Sequence, residues 1–233
     1  MSTNAGFSAA EEIFGTITGL TAKESSDGIT GSVAEATNEF GDTVAHDEYA
    51  QLANPSVTYA VTADVSSLPS LGDIKTWGSK KILVTQIQVT TSAGQPPSVT
   101  ISGQEVHATA TAKRLYAPSV NLAARCKAQD VAGAFTAPTS PAAFNSVTTT
   151  WSVDAVTASK GGDILAACAT HGRVEVNATV TDPGGTATLT ATTGFTITAP
   201  AAKTKPDEGY VSVTATATKW IVGTEQGNGG GTV

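Results

Sequence analysis

One run of residues recurs later in the chain, and that recurrence constrains the fold more than any other feature of the sequence. Ser56-Val-Thr-Tyr-Ala-Val-Thr-Ala-Asp64 lies over Ser146-Val-Thr-Thr-Thr-Trp-Ser-Val-Asp154, and Gly72-Asp73-Ile74 lies over Gly162-Asp163-Ile164 without a gap. After a one-residue slip, Val89 to Gly94 pairs with Val180 to Gly185, and Gly103 with Gly194. A longer loop intervenes in the second copy before Val106 to Thr111 pairs with Val211 to Thr216, ending in Leu115-Tyr116 or Trp220-Ile221. The expected organisation is a tandem duplication of an all-strand unit, 56–116 and 146–221. The alternative is chance likeness among strands built from the same abundant Ala, Thr and Val.

Within the first unit, Val57, Tyr59, Val61, Ala63 and Val65 alternate with Thr or Asp, the period of a strand with one face in a core. Strands are also predicted over Phe14 to Ala22, Ile82 to Thr91, Ser98 to Ser102 and Val106 to Ala112. Gly72 to Gly78 reads as a loop or one helical turn. Its counterpart from Gly162 to Thr170 reads as a short helix stopped at Gly172. Pro118 before and Gly133 after frame a helical linker over Ser119 to Ala132, and Ser8-Ala-Ala-Glu11 resembles a capping box. The insert from Thr198 to Gly209, with Pro200 and Pro206, reads as a loop, and 223–233 as a flexible Gly-rich tail.

Charge divides the chain unevenly. The net charge is −7, so attraction to nucleic acid through the whole chain is not expected. Nine of the twenty acids fall in residues 1 to 50, with Lys23 as the single base there, whereas the remainder is slightly basic. Residues 1–50 therefore form an acidic N-terminal strand and a projecting loop or hairpin arm, with Asp27-Gly28 and Phe40-Gly41-Asp42 as turn signals. Opposite charges on one chain suit head-to-tail self-association, and a solvated loop is the plainer alternative. The candidate inter-subunit residues are Glu24, Asp27, Glu35, Phe40, Asp42, Asp47 and Glu48, and the partner expected for them is a basic patch of a neighbouring subunit.

Catalytic chemistry finds little support. The three histidines, His46, His107 and His171, have no second His or Cys at ligand spacing. His46-Asp47-Glu48 groups three ligand types, but consecutive strand residues alternate in direction and would not converge on one ion. Asp73 and Asp163 follow a glycine, where a carboxylate caps the next turn. No phosphate-binding loop, nucleophile elbow or dinucleotide fingerprint occurs, so the expectation is a non-enzymatic protein without cofactor or metal. Cys126 and Cys168 have no framework spacing and are expected to be unpaired thiols. The N-terminus lacks a signal-peptide pattern and no window approaches a membrane span, so cytoplasmic synthesis without membrane insertion is expected.

Asn38-Glu-Phe-Gly-Asp42-Thr-Val-Ala45 leads into the strand at Ser56 to Tyr59. Leu68-Pro-Ser-Leu-Gly-Asp-Ile74 follows, and then Val84 to Gly103, in which a strand ends in a small-residue turn and returns through Pro97-Ser-Val-Thr-Ile101. This progression, over residues 14 to 116, resembles the major tail tube proteins of tailed bacteriophages. The resemblance implies an all-β fold, mainly an antiparallel β-sandwich or flattened barrel with one or two short helices. It further implies a homo-oligomer of rings stacked into a tube, with sheets continuing around the lumen and a long loop reaching the next ring. Other tail or capsid proteins would be its partners, and viral DNA would pass through without specific binding. The implied location is the virion tail, assembled in the host cytoplasm. A capsid decoration protein or an Ig-like adhesin module is the alternative from another class. Edge strands discriminate the two, and the low charge of Val174 to Thr181 and Val211 to Thr218 suggests poor monomer edges, which favours assembly.

Overall fold

The computed structural model describes residues 13–28, 30–37, 43–106, 110–118, 122–123, 133–139, 141–160, 163–204 and 210–222. Among the described residues there are eleven strands: β1 (Leu20–Ser26), β2 (Thr30–Thr37), β3 (Thr43–Leu52), β4 (Ser56–Val61), β5 (Ile74–Trp77), β6 (Lys80–Ser92), β7 (Ser98–Val106), β8 (Ala143–Lys160), β9 (Asp163–Asp182), β10 (Thr196–Thr204) and β11 (Val211–Trp220). Nine of them form one sheet in the order β1-β4-β7-β6-β8-β9-β11-β10, with β5 added to β6, while β2 and β3 form a separate two-stranded sheet. Every pairing is antiparallel. The all-β expectation holds. Helical backbone among the described residues is confined to Ile13 and Phe14.

The alternating pattern explains why the sheet has one dry face. Val57, Ile101, Ile87, Trp151 and Val174 are successive register partners across β4, β7, β6, β8 and β9, and all are buried. The next inward row runs Tyr59, Val99, Val89, Thr149, Val176 and Ala217, again all buried. Each fully buried aliphatic side chain contributes about 1.5–3 kcal/mol, more than the net value of one ladder hydrogen bond, so these rows fix the register. β7 and β9 are three steps apart in the pairing order, which in a flat sheet would separate them by about 14 Å. Residues of the two strands nevertheless approach within 8 Å, Cα to Cα. The sheet therefore curls over its apolar face into a sandwich-like body, and one core cluster draws on both halves of the chain.

Several elements differ from expectation. Phe14 is buried and helical, and β1 begins only at Leu20, because Gly15 and Gly19 adopt positive φ (78° and 86°) and turn the chain. Gly72 to Gly78 holds β5, which forms a hairpin with β6 rather than a helical turn. The helix expected from Gly162 to Thr170 is instead the first part of β9, since Ile164 to Thr170 pairs with Asp154 to Ser159 of β8 and tertiary pairing overrides the helical preference of Ala. β7 continues to Val106, and Ala110 to Lys113 are in no strand. The expected loop at Thr198 carries β10. Ala63 is exposed, because β4 ends at Val61 and only Val65 returns to the core.

Most of the predicted linker helix, the Ser8–Glu11 turn and the 223–233 tail lie outside the described residues. Leu122, however, forms an antiparallel bridge with Val65: its N–H donates to the Val65 carbonyl at 3.0 Å and its carbonyl accepts from Val65 N–H at 2.7 Å. A helix through Leu122 is thereby excluded. Strand order does not repeat between the two units. β4 lies between β1 and β7, whereas its sequence counterpart β8 lies between β6 and β9. Locally the likeness is closer, since the aligned Gly94 and Gly185 both lie in the turn after a strand with positive φ, 75° and 72°.

Candidate functional site

The acidic arm is a hairpin. Glu24 and Asp27 are exposed on and just beyond β1, where Glu24 is the register partner of Thr58. On β2, Glu35 is opposite His46 of β3, while Asp47 and Glu48 of β3 are opposite Ala34 and Val33. Phe40 and Asp42 lie outside the described residues. Neither strand of the hairpin pairs with the nine-stranded sheet.

The root of the hairpin is closed by backbone. Asn54 N–H donates to the Gly28 carbonyl at 3.3 Å, and Gly28, at φ +55°, passes so close to Asn54 that a Cβ there would overlap the Asn54 carbonyl oxygen. Only glycine meets both demands. Just beyond, Ala53 N–H donates to Glu105 Oε2 at 2.9 Å, and the same oxygen receives Lys80 Nζ at 2.6 Å. Glu105 N–H in turn donates to the Ala53 carbonyl at 2.7 Å. The place where the arm joins the body is thus fixed to β6 and β7.

A second two-stranded extension was not foreseen in the sequence. Beyond Ser152, β8 leaves β6, and β9 before Arg173 has no pairing with β11, so Asp154–Lys160 and Asp163–Thr170 pair only with each other. At its root, Val153 stands opposite two residues, His171 and Gly172, which is a β-bulge. His171 there adopts φ 51°, an uncommon conformation for a residue with a side chain. Its Nδ1 lies 3.3 Å from Asp154 Oδ2 and its ring meets Trp220 edge to face at 6.3 Å. Trp220 (67%), Val156 (55%) and Val222 (98%) are exposed around this root. Tyr116 packs where a Cβ on Gly172 would sit, so glycine is required at that position for close approach.

The outward face of the large sheet is a carpet of hydroxyl and amide groups. Glu24, Thr58, Thr100, Gln88, Thr150, Glu175, Thr218 and Thr196 are successive register partners across eight strands. Thr58 and Thr100 hydroxyls are 3.1 Å apart and Gln88 Nε2 donates to Thr150 Oγ1 at 3.4 Å. Parallel rows add Ser56 with Ser102 at 3.1 Å and Thr179 with Thr214 at 3.0 Å. These cross-strand pairs are individually weak and together leave a polar surface of low charge.

The edges differ from those the sequence suggested. Val174–Thr181 and Val211–Thr218 are interior, since β9 lies between β8 and β11, and β11 between β9 and β10. The strand order ends in β1 and β10, while β5 and the outer parts of β8 and β9 each have a strand on one side only among the described residues. β1 carries Lys23 and Glu24 with an irregularity between Ala22 and Glu24, and β10 contains Pro200 and two register shifts. Both devices hinder sheet-to-sheet addition. The two strands expected to be open edges, Val174–Thr181 and Val211–Thr218, are therefore interior in this sheet.

Among the described residues no three His, Cys, Asp or Glu side chains come together as metal ligands. Asp73 Oδ1 accepts Ile74 N–H at 2.9 Å and Oδ2 binds Lys75 at 2.7 Å, so this carboxylate caps the entry to β5. Cys168 is the register partner of Val156, and Cys126 and His107 lie outside the described residues. No described helix is long and apolar enough to cross a membrane. Comparison with protein-family models, curated proteins and solved structures found no match to this chain.

Proposed function

We propose that the chain is a structural virion subunit that self-assembles into rings or a tube, as in a bacteriophage tail whose lumen conducts DNA. The observation that supports this most is the β2–β3 hairpin. An isolated two-stranded hairpin is marginal in water, yet this one is long, acidic and paired with no other described strand. A neighbouring subunit supplies the surface it lacks. The β1 and β10 edges are protected, so on this reading assembly proceeds through the hairpins rather than by continuation of the sheet at those two edges.

Those same protected edges favour the alternative, a capsid decoration or adhesin module that acts as a monomer. Electron microscopy and sedimentation of the purified chain distinguish the two. Rings or tubes are expected from the full chain, and a soluble, folded monomer from a chain lacking residues 30–52, a deletion flanked by Gly28 and Asn54, which are already within hydrogen-bond distance. A full chain that stays monomeric at all concentrations rules out self-assembly; particles from the shortened chain rule out the hairpin as their cause.

A further inference from the structure

Basic side chains from distant parts of the sequence gather at one end of the body. Lys75 lies on β5 and Lys80 and Lys81 on β6, beside the tight turn that joins these strands. Lys81 Nζ donates to the Ala110 carbonyl at 3.2 Å, which ties the segment after β7 to this turn. That segment carries Lys113 and Arg114 and runs against Leu71 and Gly72. Leu71 and Tyr116 exchange two backbone hydrogen bonds of 3.0 Å, and a Cβ on Gly72 would lie 2.5 Å from the Arg114 carbonyl. Two carboxylates share the region, Asp73 with Lys75 at 2.7 Å and Glu105 with Lys80 at 2.6 Å. Among the described residues, Lys81 and Lys113 belong to neither of these two pairs, so the pairs leave positive charge at this end.

We infer that this basic end is the surface that receives the β2–β3 hairpin of a second copy of the chain, an inference that rests on the proposed self-assembly. Charge complementarity carries it: residues 23 to 48 hold seven acids and one base, and Glu35, Asp47 and Glu48 are placed on the hairpin strands. Reach is sufficient, because strands of eight and ten residues extend roughly 26–33 Å. The hairpin also leaves its own body at this end, through Ala53 and Glu105, so arm and receptor lie side by side on every copy. Laterally adjacent copies then exchange contacts around a closed ring.

Two full-length variants test this by mixing. The first reverses the receptor, Lys81→Glu with Lys113→Glu; the second reverses the arm, Glu35→Lys, Asp47→Lys and Glu48→Lys. Each alone is expected to raise the concentration for half-assembly about tenfold or more, since several weak pairs are lost together. Mixed in equal amounts they are expected to co-assemble, because the basic arm of one meets the acidic end of the other. Co-sedimentation reads the result, and circular dichroism checks that each chain is folded. If the double receptor reversal unfolds the chain, Lys113→Glu alone, at an exposed position, serves in the mixture. Folded variants that fail to co-assemble while the unaltered chain forms particles overturn the receptor and leave self-assembly standing. An unaltered chain that never assembles overturns self-assembly itself.

Discussion

Asp182 holds the turn that follows β9. It is 1% exposed, its Oδ1 accepts Gly184 N–H at 2.7 Å and its Oδ2 accepts Ala187 N–H at 2.5 Å. Removing the carboxylate leaves two donors without this acceptor at the end of the sheet where β9 meets β11. Asp182→Ala is expected to lower stability by roughly 1.5–3 kcal/mol, the range for hydrogen bonds to a charged group. Urea denaturation should show a lower midpoint with an unchanged slope. In the sequence, Asp182-Pro-Gly-Gly185 was visible only as the counterpart of Thr91 to Gly94. The carboxylate's role was not, because it depends on two amides brought round by the fold.

Between β8 and β9 the informative feature is the bulge, since it marks where a hairpin leaves the sheet. His171 sits in the left-handed region at φ 51°, which costs a residue with a Cβ about 1–2 kcal/mol. His171→Gly is therefore expected to leave stability equal or raise it by up to about 1 kcal/mol, whereas His171→Val, β-branched, lowers it by about that amount or more. Thermal denaturation of the pair decides: a valine variant as stable as the parent would show that the strain is absent. Strands such as β4, β6 and β7 were legible because Val, Ile and Tyr alternate with Thr and Ser through them. β9 was not legible at its start, where Ile164-Leu-Ala-Ala-Cys-Ala169 carries no alternation and only the pairing with β8 decides its conformation. Pairing partners also hid the edges, because a strand's own residues do not say which strand lies beside it. The arm was visible as a block of charge, but the tie between Lys81 and the segment after β7 was not, since Lys81 Nζ reaches the Ala110 carbonyl only through the fold.

At the scale of the whole molecule, β6 of the first half pairs with β8 of the second through Gln86–Ser92 and Ser146–Ser152, and one core spans both. The two sequence units thus share their central seam. Calorimetry of the chain without residues 30–52 should show one unfolding transition, and two separated transitions would mark the halves as independent bodies. The hydroxyl carpet on the outer face has its own consequence. A surface with so few fixed charges gathers few condensed counterions, so little entropy is gained or lost when a polyanion comes near it. Whatever slides along that face meets a resistance set by hydration, hardly altered by the ionic strength of the medium.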